Sequence, residues 1–380
     1  MSKLTHNYLV TMPYGIGDTV HIGLAVIDQI LKQDSIAKID VIANSFQSEI
    51  LEDDPRINLI EVEKDIFPTQ NKATWYKCFF IFDKRAKSLR SKHLKKKYDF
   101  IFPGNAAFGF LHSLRSKVLY PKPLPIIRDY FDLKQGKNAQ ASRRVRSMIY
   151  EYYTTKREAP KIGEKIDLYI KESTFEKARR WYEKLISKKT GTKTILVAPD
   201  TTSAVTRPPT QLLADILISL LRTGSLVNII ILPSYTDTTA SKKLFLRLKD
   251  FDARVTLIPN KPRPSLLLSA ALCDLVDIVL TGDTGIMHLS ASWKVIASKS
   301  RKGSKIYLKN RVNTIALFGG TSPGLYGHPI RSTIIGRGHP AQKKIRPGFF
   351  KEGYIPKDED YFYHIDINFV VKKMRKLLAF

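Results

Sequence analysis

Cysteine is scarce in this sequence: Cys78 and Cys273 are the only two among 380 residues. Two distant cysteines supply neither a disulfide framework nor a cysteine-rich metal site, so the composition fits a reducing compartment. The N-terminus has no signal-peptide core before its first strand-like segment. We therefore expect a protein that is not secreted.

Long hydrophobic runs are also missing. The most apolar window, residues 266–280, contains Asp274 and Asp277 and is shorter than the ~20 residues that a membrane helix needs. We expect no membrane span. Apolar residues make up 43% of the chain, which is ordinary for a folded protein and excludes extended disorder. A chain of 380 residues exceeds what one hydrophobic core usually organises, so we expect two domains.

Acidic residues are too few to balance the basic ones: 35 Asp and Glu face 63 Lys and Arg, a net charge of +28. Such an excess attracts polyanions, namely nucleic acid, anionic lipid or phosphorylated glycolipid. A uniformly basic proteome would give the same excess without any partner. No helix-turn-helix, zinc finger or RNP motif accompanies the charge, so we expect no nucleic-acid partner. The densest basic segment, residues 72–97, is predicted to be helical, either as a solvated face or as an anionic-surface contact.

Strand-like and helix-like segments alternate through both halves of the sequence, which predicts an α/β fold with parallel sheets. In the first half the predicted strands are residues 7–12, 39–43, 57–62 and 98–102, with helices from residue 19 and over 45–51. In the second half the predicted strands are 194–199, 227–232, 255–258, 278–280 and 314–318. The predicted helices there are 173–188, 211–223, 238–248, 265–272, 286–293 and 368–378.

The first glycine turn, Gly15-Ile16-Gly17-Asp18, lies between a strand and a helix. Two glycines let another molecule approach the backbone closely at the positive end of the helix. Val20 stands where the dinucleotide fingerprint has its third glycine, which argues against a nicotinamide or flavin cofactor. Asp18 fits two roles at this stage, a functional carboxylate or a simple N-cap.

A second turn, Gly282-Asp283-Thr284-Gly285, ends another strand and precedes a helix. Backbone N–H groups of Thr284 and Gly285, a hydroxyl and a helix dipole suit a diphosphate there. His288 lies one turn further along and is either structural or functional. Residues 317–323 form a glycine-rich segment after another strand, which a simple turn explains equally well.

Together these segments resemble glycosyltransferase family 9, which includes the ADP-heptose:lipopolysaccharide heptosyltransferases. The resemblance covers nearly the whole chain in order. The segments that carry it are Gly17-Asp18, Pro199-Asp200-Thr201-Thr202 through Arg207-Pro208-Pro209, Gly282-Asp283-Thr284-Gly285 with His288-Leu289, and Leu317-Phe318-Gly319 with Thr321 and Pro323. It implies the GT-B fold, two Rossmann-like domains with parallel sheets facing a central cleft. Residues 1–170 would bind the acceptor, 171–366 the nucleotide sugar, and a helix over 367–380 would return to the N-terminal domain.

The resemblance also implies an inverting, metal-independent transfer, with heptose from ADP-heptose moving onto a lipopolysaccharide core acceptor. Asp18 would be the general base, with Gly15 and Gly17 on the acceptor side. The donor-binding residues would be Thr201, Thr202, Arg207, Asp237, Asp283, Thr284, Gly285 and His288. Direct displacement of a nucleoside diphosphate needs a carboxylate on the attacking side and positive potential on the leaving side. We expect no cofactor and no metal, because helix dipoles and a cation can neutralise the diphosphate.

The expected partners are a nucleotide-sugar donor, a phosphorylated glycolipid acceptor and an anionic membrane surface. The expected location is cytoplasmic, at the inner face of the cytoplasmic membrane. A different nucleotide sugar or glycan acceptor remains an alternative on the same fold. Two features depart from the family pattern: Arg207 replaces its usual lysine, and residues 294–311 form a long basic link. That link is either a mobile surface insertion or a loop facing acceptor or membrane.

Overall fold

The described part of the chain forms two compact units, one ending at Tyr169 and the other beginning at Ile170. In this computed structural model the described residues are 6–12, 15–62, 98–103, 165–186, 193–201, 203, 205–224, 226–234, 237–249, 254–259, 261–297, 306–307, 313–321, 323–328, 331–336 and 361–378. The predicted basic helix over residues 72–97 lies outside them. No helix among the described residues is long and apolar enough to cross a membrane.

The first unit contains a four-stranded parallel sheet with the order β3-β2-β1-β4. Its strands are β1 (Asn7–Thr11), β2 (Lys38–Ala43), β3 (Ile57–Glu61) and β4 (Phe100–Pro103). Its helices are α1 (Ile16–Asp18), a π-helical turn (Thr19–Gly23), α2 (Leu24–Gln33) and α3 (Ser45–Leu51). A capping box between Asn44 and Gln47 starts α3, where the sequence predicts this helix.

A buried ion-pair cluster joins α2 to the segment before β3. Arg56 pairs with Asp28 of α2 and with Asp54, and its guanidinium also lies 4.4 Å from the Tyr169 ring centroid. Burial opposes the charge of Arg56, but the two carboxylates outweigh it and raise the pKa of the guanidinium. The cluster holds α2 in a fixed place behind the sheet.

The second unit contains a six-stranded parallel sheet with the order β13-β12-β9-β6-β7-β8. Its strands are β6 (Lys193–Ala198), β7 (Val227–Ile231), β8 (Val255–Leu257), β9 (Ile278–Gly282), β12 (Asn313–Leu317) and β13 (Ser332–Ile335). Strands β7 and β9 are buried at every position, as expected for parallel strands covered on both faces.

A smaller sheet has the order β11-β10-β5. Its strands are β5 (Asp167–Lys171), which spans the division between the units, β10 (Trp293–Ala297) and β11 (Ile306–Tyr307). The prediction of a helix through Trp293 is wrong, because the helix ends at Ala291 and an extended strand follows. Part of the basic link is therefore paired sheet, since β10 and β11 are antiparallel neighbours.

Helices cover both faces of the six-stranded sheet. They are α4 (Glu172–Ile186), α5 (Thr210–Arg222), α6 (Thr239–Leu248), α7 (Leu266–Leu275), α8 (Gly285–Ala291), α9 (Pro323–Tyr326) and α10 (Ile367–Leu378). Helix α5 packs against α6 and α10, whereas α7 packs against α4 and α8. Right-handed crossovers place α5 and α6 on one face, and α7, which returns the chain to β9, on the other.

The C-terminal helix α10 packs within the second unit. Its buried residues are Val370, Val371, Met374 and Leu378, and they share one core with α5, α6 and alternate residues of the sheet. The return of this helix to the N-terminal domain stays a prediction. The described residues show that the apolar stripe of α10 is buried against α5 in the core of the second unit.

Met374→Ala tests this packing. The Met374 side chain is fully buried, so we expect its truncation to lower the free energy of unfolding by about 2–5 kcal/mol. Phe369→Ala is the matched control on the same helix, because Phe369 is 46% exposed and its loss should change stability by about 1 kcal/mol or less. Urea denaturation measures both. Equal effects of the two substitutions would contradict the placement of α10.

Candidate functional site

The strand order of the second unit reverses between β6 and β9. The chain runs from β6 outward to β7 and β8, then returns to pair β9 on the other side of β6 and continues to β12. The loops that leave β6 and β9 therefore diverge to opposite faces, and such a reversal opens a crevice at the carboxyl ends of the strands. In the first unit the same reversal lies between β1 and β4, next to the turn that carries Asp18.

The turn after β9 is tied to the end of β6. The Thr281 hydroxyl donates to the Ala198 carbonyl at 3.0 Å and lies 3.1 Å from the Thr284 hydroxyl. Thr284 is the N-cap of α8: its backbone is extended and its side chain accepts from the Met287 N–H at 3.4 Å. Gly285 is the first helical residue. The predicted turn therefore lies where the strand order reverses. The Thr284 hydroxyl is hydrogen-bonded there to the Thr281 hydroxyl and to the Met287 N–H.

Gly282 allows the loop after β6 to cross the end of β9. A Cβ atom at this position would lie 2.4 Å from the Thr206 carbonyl oxygen and 2.7 Å from Cδ of Pro208. Because real Cβ atoms do not approach backbone so closely, only glycine fits here. The contact brings the loop that carries Thr201 and Arg207 onto the turn that carries Asp283 and Thr284.

The hydroxyl of Thr201 is used inside that loop. Thr201 is buried, its Oγ1 lies 2.8 Å from the Thr206 Oγ1, and it accepts from the Ser203 N–H at 3.3 Å. These bonds give the loop a defined shape after β6. Thr202, which is predicted beside it as a donor ligand, lies outside the described residues.

Arg207 and Asp237 come together from loops after two different strands. The Arg207 guanidinium donates to the Thr201 carbonyl and lies 3.4 Å from the Asp237 carboxylate. Hydrogen bonding from Thr239, and then the charge of Arg207, lowers the pKa of Asp237. Both side chains are partly exposed, at 32% and 39%, so the pair leaves the guanidinium open to a ligand.

Asp200 has a structural role that the sequence does not reveal. Its buried carboxylate accepts from three backbone N–H groups, those of Ser234 at 3.1 Å, Ala240 at 3.0 Å and Ser241 at 3.2 Å. It therefore caps the N-terminus of α6 from the loop after β6. A cap supplied from about 40 residues away leaves no local pattern. Asp200 fixes the loop that Thr201 and Arg207 share.

Asp283, His288 and His328 form a row of polar side chains beside the turn. The His288 Nε2 lies 3.6 Å from the Asp283 carboxylate, and its Nδ1 lies 2.8 Å from the His328 Nε2. Only one proton fits between the two ring nitrogens, so one ring donates and the other accepts. Both histidines are buried. The hydrogen bond with His328 fixes the His288 ring, and the Nε2 of that ring lies next to the Asp283 carboxylate.

A buried lysine anchors the far end of α8. The Lys294 ammonium is fully buried and donates to carbonyl oxygens at the end of that helix, those of Leu289 at 2.6 Å, Ser290 at 2.9 Å and Ser292 at 3.1 Å. It also lies 3.1 Å from the Asp274 carboxylate of α7. Burial lowers the pKa of Lys294 and raises that of Asp274, and the attraction between the two opposes both shifts.

Arg331 completes this anchor. Its guanidinium donates to the Ser292 carbonyl at 2.7 Å, lies 4.0 Å from the Asp274 carboxylate, and stacks on the Trp293 ring with its central carbon 4.9 Å from the centroid. From the sequence, Lys294 is predicted to start a basic link that is either a surface insertion or a loop facing acceptor or membrane. The structure places it in the core instead, because its ammonium satisfies the last carbonyls of α8.

The turn of the first unit places Asp18 in the first turn of α1. The N-cap is Gly15, with extended backbone and no side-chain hydrogen bond, while Gly17 is inside the helix. The Asp18 carboxylate lies against Gly15, with Oδ2 3.2 Å from the position of a Cβ there. Asp18 also stands at the N-cap position of the π-helical turn over Thr19–Gly23, but its side chain makes no cap hydrogen bond there. A buried π-helical turn follows directly, a feature often found near functional sites.

Comparison with solved structures confirms the GT-B class of fold predicted from the sequence. No protein-family model and no curated protein matches the chain in sequence. The structural likeness is at the level of fold, since sequence identity to each structure described below is 16% or less.

Three of the structural neighbours are glycosyltransferases that align over nearly the whole length of both chains. A glycosyl transferase family 9 structure from Veillonella parvula aligns with a TM-score of 0.68 at 16% identity, over 99% of this chain and 98% of its own. ADP-heptose lps heptosyltransferase II of E. coli aligns at 0.62 and 15% identity, over 98% of both chains. E. coli heptosyltransferase WaaC with ADP aligns at 0.60 and 16% identity, over 98% of this chain and 99% of its own.

Lys294→Met tests the buried anchor. Removing the ammonium takes the nearest cation from the buried Asp274 carboxylate, with Arg331 left at 4.0 Å, and takes one donor from each of three carbonyls at the end of α8. We therefore expect the free energy of unfolding to fall by about 3–5 kcal/mol. Lys193→Met is the matched control, because Lys193 pairs with Asp277 at 3.4 Å while both side chains are about a third exposed; its loss should cost less than about 1 kcal/mol. Chemical denaturation measures both. A similar small effect of the two substitutions would show that Lys294 is not an anchor.

Proposed function

We propose that this protein is an inverting glycosyltransferase that moves a sugar from a nucleoside diphosphate onto a glycolipid. The donor of first choice is ADP-heptose and the acceptor a lipopolysaccharide core. The observation that carries the proposal is the assembly of Thr201, Arg207, Asp283 and Thr284 at the reversal between β6 and β9. The choice of nucleotide rests on a neighbour, WaaC, whose structures contain ADP and ADP-2-deoxy-2-fluoro heptose.

The donor diphosphate finds positive potential on both sides of the reversal. Arg207 supplies a guanidinium from the loop after β6, with only the exposed Asp237 as a carboxylate partner among the described contacts. The first N–H groups of α8, at Gly285 and Ile286, have no acceptor within the helix, as at any helix start. These groups would stabilise the charge that develops on the leaving diphosphate. For this reason we propose a transfer without a metal or other cofactor.

Asp283 would bind the donor sugar rather than its phosphates, since a carboxylate repels phosphate and accepts hydrogen bonds from hydroxyls. His288 would support this role by holding the carboxylate in place at 3.6 Å. His328, which bonds to His288, would fix the ring. Thr284 and Gly285 would face the phosphates.

Asp18 would act on the acceptor. The acceptor hydroxyl oxygen would attack the anomeric carbon, the bond from that carbon to the diphosphate oxygen would break, and the hydroxyl proton would pass to the Asp18 carboxylate. Attack from the face opposite the leaving group inverts the anomeric configuration. Gly15 and Gly17 would allow the acceptor to approach the backbone next to Asp18.

We also propose that the protein works in the cytoplasm, in peripheral contact with the inner face of the membrane that holds its acceptor. The net charge of +28 supports attraction to phosphorylated glycolipid and anionic phospholipid alike. The same fold with another nucleotide sugar or another glycan acceptor is the second candidate, because groups that bind phosphate do not discriminate between sugars.

A donor panel separates the two candidates. We expect calorimetric titration to give binding of ADP and ADP-heptose and little binding of UDP- or GDP-sugars. Thr284→Val, which keeps the shape of the N-cap residue but removes its hydroxyl, should weaken the binding by about 1 kcal/mol or more. Binding of a uridine or guanosine donor alone would overturn the heptose assignment and favour the second candidate. Salt-sensitive DNA binding without any nucleotide-sugar affinity would overturn both.

Asp18→Asn tests the general base. We expect donor binding to persist while the rate of sugar transfer falls by about 10²–10⁴-fold. Asp34→Asn is the control, since Asp34 caps the end of α2 in the same unit and binds His6 and Tyr8. Turnover assays with a glycolipid acceptor, alongside calorimetry with the donor, give both readouts. Near wild-type transfer by the Asp18 variant would refute the role of base.

A further inference from the structure

The two helical faces of the six-stranded sheet differ sharply in charge. Helices α5, α6 and α10 carry eight cations and a single carboxylate, Asp215. The cations are Arg222, Lys242, Lys243, Arg247, Lys372, Lys373, Arg375 and Lys376. We call the outer surface of these three helices the basic face.

The opposite face of the same sheet is nearly balanced. Helix α4 carries four cations and three glutamates, α7 carries Asp274, and α8 has neither lysine nor arginine. The positive excess of the second unit's described helices therefore lies on one side. A chain made basic only by its overall composition would not sort its charges between two faces in this way.

The three helices form one continuous surface. Helix α5 lies between α6 and α10 and packs against both. A groove of about 530 Å³ runs across them and is lined by Asp215 and Arg222 of α5, Arg247 of α6 and Ile367 of α10. Arg247 also donates to Gln211 of α5. The cations of the three helices are thus neighbours on a single surface.

Large apolar side chains stand among these cations. Leu246 of α6 is 56% exposed and Phe369 of α10 is 46% exposed, and the Lys373 ammonium lies 5.2 Å from the Phe369 ring centroid. Seven of the eight cations are themselves exposed, and Lys373 is half-buried. Exposed leucine and phenylalanine between lysines and arginines are typical of helices that lie in a membrane interface. Cations alone would suffice for a dissolved polyanion.

We propose that the basic face docks on an anionic phospholipid bilayer, with the cations at the headgroups and Leu246 and Phe369 inserted between them. This inference deepens the membrane contact in the proposed function and assigns it to α5, α6 and α10. The donor would bind at the carboxyl ends of the central strands β6 and β9. These strand ends are not part of the basic face. The outer surface of these helices is therefore separate from the strand ends where the donor would bind.

Vesicle co-sedimentation of the full chain tests the proposal. We expect binding to vesicles that contain phosphatidylglycerol and no binding to pure phosphatidylcholine. Each cation near an anionic surface strengthens binding roughly fivefold. Replacing Lys372, Lys373, Arg375 and Lys376 together by Gln should therefore weaken binding by at least about 100-fold. Phe369→Ala and Leu246→Ala should weaken it further at a salt concentration that screens the charges.

The matched control removes four cations from the opposite face, with Lys177, Arg179, Arg180 and Lys184 of α4 replaced by Gln. It lowers the net charge by the same amount but leaves the basic face intact. We therefore expect it to retain most of the vesicle binding. Equal losses in both variants, or no loss in either, would overturn the assignment to the basic face. Wild-type binding to single-stranded DNA in preference to vesicles, with no effect of the Phe369 and Leu246 variants, would overturn the bilayer as the partner.

Two further readouts keep the result interpretable. Thermal unfolding of every variant should stay close to that of the wild type, because the altered side chains, apart from the half-buried Lys373, are exposed. Calorimetric binding of ADP should also be unchanged in the α10 variant. Loss of vesicle binding with ADP binding intact supports the proposal, whereas loss of both would show that the face acts through the donor site and would overturn it. Absence of ADP binding in the wild type itself would count against the proposed function and leave the vesicle result standing.

Discussion

The carboxyl ends of β6 and β9 are neighbours in the sheet, yet the chain leaves them toward opposite faces. Such a divergence opens a crevice at the carboxyl ends of the two strands, and the candidate donor residues of the second unit are arranged around it. Two contacts define the border of this crevice. The Thr281 hydroxyl ties the two strand ends together, and the missing side chain of Gly282 lets the loop after β6 lie on the turn after β9.

Charged side chains outside this crevice hold the helices that border it. Asp200 caps the start of α6, and Lys294 satisfies the end of α8 while pairing with Asp274 of α7. Burying an ammonium and a carboxylate costs desolvation energy, so such a pair contributes defined geometry more than net stability. In the second unit it secures α8 at its end, while Thr284 defines its start. The turn between β9 and α8 is held from both sides.

Charge is distributed unequally between the two helical faces of the second unit. One face of the six-stranded sheet is covered by α5, α6 and α10 with their eight cations, and the other by helices of nearly balanced charge. The residues proposed to bind the donor lie at the carboxyl ends of the strands, between these faces. The strand ends, where we propose donor binding, and the basic face, where we propose membrane docking, are separate regions of this unit. The net charge of the whole chain does not show where the strand-end site or the basic face lies.

Local patterns in the sequence were enough to predict most of the described strands, most helix limits and the two glycine turns, because periodicity and turn chemistry act over a few residues. They did not predict β5, β10, β11 or β13. They could not place α10, whose apolar stripe suits any core and is buried on α5, and they misjudged Trp293 and Lys294, which belong to a strand. Asp200 escaped notice because it caps a helix about 40 residues away. Contacts between distant segments decided which strands are neighbours. They also decided which hydroxyls form hydrogen bonds within loops and which lysine is buried. Such contacts form only when the sheet and its helices pack, and for that reason tertiary structure alone decided them.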